Sequence, residues 1–292
     1  MRVLIIANPA VGVQTEKRKV IERIASHIVE SGGNADISYV MKPGMGMKFS
    51  SRAAVEGYDA VFAAGGDGTV NDVASGLVNR RIPLGVIPLG TGNGLARALR
   101  IPFETGELIR MLDNGKTVAM DAGRIASRYF FSVAGIGYDA SIARDFNRRN
   151  YSLRTVKALY SIAIKQYLIR RPETLTLFID GRETTRKMFG LTICNTGHYG
   201  AGAIISPTSS MLDGTLEAVL IPKFNVVSGL RAMFKLFHGT INEMRGLVYL
   251  PFTSLKIKRT RPGQCQADGE TFPGTDTIEV TVLPSALRII VP

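Results

Sequence analysis

Cysteine, histidine and long uncharged apolar runs are what this 292-residue chain has little of. Cys194 and Cys265 stand far apart and neither belongs to a Cys-x-x-Cys pair. That excludes a disulfide scaffold and reads both as small core residues of a reducing compartment. The three histidines, His27, His198 and His238, form no metal-ligand pattern. His27 reads as a solvated helix residue, His238 as a helix cap, and His198 as part of a glycine-rich loop. No apolar run approaches the ~20 residues of a membrane-spanning helix. The first residues are strand-like rather than signal-peptide-like, so a cytoplasmic protein is expected. No repeat or low-complexity tract occurs. Two common fingerprints are missing as well. The stretch Gly90-Thr91-Gly92-Asn93-Gly94-Leu95 does not keep the Gly-x-Gly-x-x-Gly spacing, and Gly115-Lys116-Thr117 has Arg110 where a P-loop needs its first glycine.

What is present is core-forming residues and positive charge. Hydrophobic residues make up 45% of the chain and the formal net charge is +12. The length allows one large or two ordinary domains. The charge favours an anionic partner: nucleic acid, a membrane surface or a phosphorylated ligand. No nucleic-acid-binding module is readable, and aromatics do not interleave with the basic clusters, so no nucleic-acid partner is expected.

The chain is organised around residues 63–73, AAGGDGTVNDV. Residues 61–64 read as a short buried strand, Gly65 and Gly66 end it, and Asp67-Gly68-Thr69 opens a helix carrying Val70, Val73, Ala74 and Leu77. Strand, glycine turn and helix N-terminus together make an anion site out of backbone, because the first amides of a helix lack partners within it. A bare carboxylate at Asp67 would repel phosphate, so its natural role there is to hold a cation or steer a proton. The bland alternative is a tight turn with Asp67 capping the helix. A second loop of the same kind follows: strand 84–87, then Gly90 to Gly94, then a helix over 95–99. Two such strand ends in succession suggest one phosphate-bearing ligand held between neighbouring loops.

Up to Leu112 strand and helix alternate, with strands at 3–7 and 37–40 and helices at 16–30 and 48–55. That argues an α/β unit with a parallel sheet covered on both faces. After Gly115 strands dominate: 117–125, 129–134, 174–179, 188–194, 216–221, 254–258, 277–283 and 287–291, interrupted by helices at about 153–169 and 226–237. The expected fold is therefore a doubly wound α/β domain over residues 1–120 and a mainly antiparallel β-sandwich domain over 121–292, with the last strand free to return to the first.

The late carboxylates sit at turns and strand positions. Asp121 lies within a strand, Asp213 in Leu212-Asp213-Gly214, and Asp268-Gly269-Glu270 reads as a hairpin turn. Glu270 is a candidate general base if it faces the phosphate loops. Basic residues cluster at 144–154, 165–171 and 256–261. The segment from Arg148 to Arg171 carries an amphipathic helix, with Leu153, Val156, Leu159, Tyr160, Ala163, Tyr167 and Leu168 as its apolar residues. Its readings are an ordinary packed surface helix or a basic face meeting anionic lipid headgroups.

These motifs together resemble the diacylglycerol kinase catalytic-domain family, which includes sphingosine kinases and soluble bacterial lipid kinases. The likeness runs nearly end to end: Asn8-Pro9, Gly65-Gly66-Asp67-Gly68-Thr69, Gly90-Thr91-Gly92-Asn93, Met120-Asp121-Ala122-Gly123, residues 131–140, Leu212-Asp213-Gly214, Asp268-Gly269-Glu270 and the ending 284–292. The first glycine motif is shared with NAD kinases; its combination with the other two is specific to the lipid kinases. The resemblance implies an ATP- and Mg²⁺-dependent lipid kinase working at the membrane surface, most simply on diacylglycerol. It implies nucleotide and phosphate contacts at Asn8, Gly66, Gly68, Thr69, Asp72 and Thr91, and places ATP between the two domains. It also implies a Mg²⁺–phosphate role for Asp67 with Asp121 in the same acidic cluster, a structural Mg²⁺ at Asp213 with main-chain oxygens of Ser210 and Thr215, and Glu270 as the base. Which of Glu270 and Asp67 takes the proton stays open, as does the oligomeric state, a homodimer included. The chain departs from the family pattern at Asp72, where Glu is usual, at the Ser38-Tyr39-Val40-Met41 segment, which lacks a threonine, at the loop 10–13 and at Gly94-Leu95. An NAD-kinase-like acceptor and a non-catalytic lipid- or nucleic-acid-binding module are the competing readings, beside another lipid, a sphingoid base, as the kinase's acceptor. The long β-rich second half argues against the first, and the four carboxylates Asp67, Asp121, Asp213 and Glu270 argue against the second.

Overall fold

The computed structural model describes residues 1–8, 15–149 and 155–292. The loop 10–13, and Leu153 and Arg154 of the expected basic helix, lie outside the described residues. The chain divides into two compact units. One comprises Met1–Met120 and Ser285–Pro292, the other Asp121–Pro284.

The first unit is a parallel sheet with helices. Its strands are β1 (Arg2–Ala7), β2 (Asn34–Tyr39), β3 (Ala60–Gly65) and β4 (Leu84–Pro88), in the order β2-β1-β3-β4. All three pairings are parallel. Strands β3 and β4 are buried at every residue, as are the last five residues of β1. Continuous apolar burial of this kind belongs to a parallel sheet covered on both faces. Edge strand β2 stays half-exposed, consistent with its polar sequence NADISY. The crossovers are α1 (Thr15–Glu30), α2 (Met45–Ala53), α3 (Asp67–Ser75), α4 (Gly94–Ala98) and α5 (Thr105–Asn114). Ile21, Ile24 and Ile28, on one stripe of α1, are buried. His27 on the same helix is not merely solvated: its Nε2 lies 2.8 Å from Asp113 Oδ1.

Strand β5 (Lys116–Ile125) leads out of this unit and β16 (Thr277–Val291) leads back. The late residues of β16 join the parallel sheet, Ile289 pairing with Leu84. Two strands at 277–283 and 287–291 are thus one strand, bent at Ser285, whose φ of 50° is left-handed.

The second unit is antiparallel. β8 (Glu173–Ile179), β9 (Arg182–Met188), β13 (Ser254–Arg259) and the early residues of β16 form one layer. The other layer runs β12 (Val248–Phe252), β11 (Leu216–Ile221), β10 (Gly190–Cys194), β7 (Val133–Gly137), β14 (Gly263–Ala267), β15 (Glu270–Gly274). Phe130, Ile136, Leu177, Leu191, Phe252, Ile257 and Ile278 fill one core. Each such fully buried side chain contributes roughly 1.5–3 kcal/mol. Both cysteines are buried in this unit.

Four expectations need correction. Residues 129–134 are not one strand but β6 (Arg128–Phe130) and β7, broken at Phe131-Ser132. Residues 188–194 contain the end of β9 and all of β10, and β9 itself is an additional, polar strand. Residues Tyr138–Asn147 form a helix, α6. The helix α7 (Val156–Ile169) buries Ala158, Ile162 and Gln166, whereas Leu168, read as part of its apolar face, is 68% exposed.

Candidate active site

In the order β2-β1-β3-β4 the chain winds to one side from β1 and to the other from β3. The loops leaving these neighbouring strands diverge, and in open α/β sheets the crevice between them is where ligands bind. Asn8 follows β1 and reaches across that switch point. Its amide donates to Ala64 O at 3.1 Å and its Nδ2 to Thr69 Oγ1 at 3.3 Å. Thr69 sits buried in the first turn of α3, whose N-cap is Gly66. The amides of Asp67, Gly68 and Thr69 are first-turn amides, the orphan donors of a helix start.

The second loop closes on this first one. Leu89 N donates to Gly65 O at 2.9 Å. A Cβ added at Gly90 would stand 2.3 Å from Gly66 Cα, so only glycine lets the two main chains approach this closely. Asn93, in the left-handed region at φ 52°, staples its own loop: Gly90 N donates to its Oδ1 at 3.0 Å, and its Nδ2 donates to Gly90 O at 2.8 Å. Thr91 is held exposed at the tip. Asp67 Oδ1 accepts from Gly94 N at 2.7 Å, which ties the two glycine loops together. The structure thus gathers Asn8, Gly66, Asp67, Gly68, Thr69 and Thr91 at the C-terminal ends of β1, β3 and β4. Asp72 faces elsewhere: its Oδ2 accepts from Gly46 N at 2.8 Å and anchors the start of α2. Asn93 and the Gly94 amide are site elements that residue-type reasoning passed over; the Gly-Thr-Gly-Asn motif was the available signal.

In the second unit the acidic residues fall into two groups. Asp121 N donates to Met211 O and its Oδ2 accepts from Gly214 N, at 2.8 and 2.7 Å. Asp213 Oδ1 accepts from Thr215 N and Oγ1, at 3.0 and 2.9 Å. Leu212 N donates to Ser210 Oγ. Two carboxylates therefore meet on one turn, each accepting from one of its main-chain amides, and carboxylate oxygens suit a hard cation such as Mg²⁺. Among the described residues no three His, Cys, Asp or Glu side chains gather as a metal cluster, so such an ion would rely on main-chain oxygens and water.

The second group is the β14–β15 hairpin. Asp268 and Gly269 take left-handed φ values of 46° and 86°, and Ala267 pairs with Glu270. That is the two-residue hairpin an Asp-Gly sequence favours. Asp268 accepts from three successive amides, Phe131 at 2.8 Å on Oδ2, and Ser132 and Val133 at 2.8 and 3.0 Å on Oδ1. It breaks the β6–β7 strand and fixes the hairpin, leaving Glu270 exposed at the first position of β15.

One further carboxylate escaped the sequence. Asp139, at the start of α6, is buried; Tyr199 Oη donates to its Oδ2 at 2.7 Å and Thr192 Oγ1 donates to the same oxygen. Burial pushes its carboxyl above the usual range, while these hydrogen bonds and the nearby Arg170 charge pull the other way.

Comparison with known proteins agrees with this architecture. The description "Diacylglycerol kinase catalytic domain" matches residues 2–125, and "YegS C-terminal NAD kinase beta sandwich-like domain" matches residues 132–291. A diacylglycerol kinase of Mycobacterium tuberculosis is 30% identical over 251 residues, covering 82% of this chain and 79% of that protein. One from Bacillus subtilis is 27% identical over 274 residues, covering 92% and 89%. The solved structure of a diacylglycerol kinase from Bacillus anthracis has a TM-score of 0.76 at 21% identity, covering 100% of this chain and 97% of that one. At that identity the likeness speaks for the fold. Matched over both its halves, with the glycine loops of its first unit closed around Asp67, the chain belongs to the diacylglycerol kinase catalytic-domain family and is a kinase.

Proposed function

We propose that this kinase transfers the γ-phosphate of ATP, with Mg²⁺, to a lipid hydroxyl presented by an anionic bilayer, and that diacylglycerol is the acceptor. First-turn amides of α3 and the Gly90 loop hold the phosphates, with Asn8 and Thr91 beside them. Asp67 supplies a carboxylate to the metal–phosphate network, and Asp72 keeps α2 in place. Bound Mg²⁺ neutralises charge on the transferred oxygens. Asp213 and main-chain oxygens of Ser210 and Thr215 would hold a separate, structural ion. Glu270, carried on a hairpin fixed by Asp268, takes the proton from the attacking hydroxyl.

The observation that carries the lipid reading is an apolar surface on the second unit. Helix α8 (Val226–Phe237) has no buried residue. Ala232 and Leu236 pack toward the core, while Val226, Val227, Leu230, Met233 and Phe234 stand exposed along the outer face, Val227 at 71%. Helix α7 lies against it: Tyr160 stacks edge-on to Phe237 at 5.3 Å, and Tyr167 Oη donates to Phe224 O at 2.7 Å. Exposed Ile164, Leu168 and Ile169 of α7 add to the apolar set. Exposed Lys157, Lys165, Arg171 and Arg231 lie on or beside the same two helices. An apolar face on basic helices is the pattern of a segment lying in an anionic membrane interface. No helix among the described residues is long and apolar enough to cross a membrane. A soluble acceptor such as NAD would leave this surface without a purpose.

Vesicle flotation tests the reading. Binding is expected to rise with anionic lipid and fall with salt, at roughly 1 kcal/mol per engaged basic residue, Arg148, Arg149, Arg154, Lys157 and Lys165 being the candidates. Leu230→Glu with Phe234→Glu should weaken it while ATP binding persists. Equal binding to neutral and anionic vesicles, or indifference to the double substitution, would overturn the bilayer assignment.

A further inference from the structure

A cleft of about 490 Å³ opens at the other end of the parallel sheet, within the first unit, and Arg80, Arg81 and Arg288 line it. Its volume falls in the range of small-molecule sites, about 300–1,000 Å³. We propose that this cleft is a second anion site, separate from the glycine loops, which takes a phosphate-bearing ligand. The three guanidinium groups are exposed, and none forms an ion pair with a carboxylate among the described residues. Like charges that line one cleft repel one another, and an anion among them relieves that repulsion. Arginine forks match phosphate oxygens two at a time, so a dianionic group is the ligand chemistry that fits.

The frame beneath them is fixed. Asn79 N donates to Ala286 O at 2.7 Å, and both Asn79 and Ser285 hold left-handed backbone, at φ 58° and 50°. Leu84 pairs with Ile289, which sets Arg288 beside the N-terminal end of β4, just beyond Arg80 and Arg81. The Gly90 loop leaves the opposite end of that strand. Five strand residues span roughly 16 Å, so one phosphate cannot reach both places. The site is therefore additional to the loops around Asp67, and its existence does not depend on which acceptor the kinase uses.

Calorimetric titration with inorganic pyrophosphate tests the site in the full chain and in a triple variant, Arg80→Gln, Arg81→Gln and Arg288→Gln. The expected result is a binding event that the triple variant weakens by about tenfold or more, with the unfolding temperature and ATP binding at the glycine loops retained. Arg81→Gln alone, read the same way, serves if the triple variant unfolds. A parallel flotation arm compares vesicles of phosphatidylcholine with and without phosphatidic acid. Selective loss of phosphatidic acid binding in the variant supports the site and names a lipid headgroup as its source. Loss of pyrophosphate binding with flotation unchanged supports it with a soluble phosphate compound. Pyrophosphate and vesicle binding both equal to the unsubstituted protein's, or absent from it, would overturn the proposal.

Discussion

The Asp67 carboxylate accepts a 2.7 Å hydrogen bond from the amide of Gly94 on one oxygen. A side chain at the start of α3 is thereby tied to the start of α4. A fixed negative charge beside orphan helix amides can hold a cation against phosphate without reorganising.

Replacing Asp67 by Asn separates that charge from that geometry. The Asn oxygen can still accept from Gly94, so thermal unfolding should stay near the original. Turnover should fall by about 10²-fold or more, the scale for removing a preorganised electrostatic group. Steady-state kinetics beside a melting curve checks this; near-normal turnover would remove Asp67 from the metal–phosphate network.

Asp213 carries a different expectation. Its Oδ1 already binds Thr215 N and Oγ1, so Asp213→Ala should cost about 1 kcal/mol through the turn alone. If the turn also holds a structural Mg²⁺, the rise in unfolding temperature on adding Mg²⁺ should shrink in the variant. An unchanged Mg²⁺ response would rule out an ion at this turn.

The buried Asp139 predicts a pH dependence of stability. Its folded-state pKa is raised, chiefly by burial. The folded chain therefore holds the proton more tightly than the unfolded one, and the stability this group contributes is full below the ordinary carboxylate pKa. It is lost as pH rises from there through the folded value. The unfolding temperature of the unsubstituted protein, measured against Asp139→Asn, should decline relative to the variant over that window. Parallel curves would mean that the fold does not raise the Asp139 carboxyl above its unfolded value.

Much of this could be read in the sequence, because local chemistry decides it. Glycines after the buried runs 61–64 and 84–87 announced the loops. Asp268-Gly269 and Asp180-Gly181 both take left-handed φ values, as two-residue hairpins require. What escaped was set at a distance. Nothing near Phe131 and Ser132 breaks a strand; Asp268 does it from 137 residues away along the chain, by capturing the Phe131 amide. Strand β9, RETTRKM, lacks the apolar alternation that marks a strand because only its last residue is buried. The outer face of α8 was unreadable for a different reason: Val227 and Phe234 look the same whether they meet core or lipid, and only burial separates the two.

The most direct test of the account is transfer of label from γ-labelled ATP in the presence of Mg²⁺, offered to diacylglycerol in anionic vesicles, to a sphingoid base and to NAD in parallel. The same reactions are run with Glu270→Gln, which keeps shape but loses basicity. The account predicts label in phosphatidic acid, dependent on Mg²⁺, and a turnover about 10²–10⁴-fold lower for the Glu270 variant with ATP affinity little changed. Label on NAD instead, no labelled lipid at all, or full turnover by Glu270→Gln would contradict it.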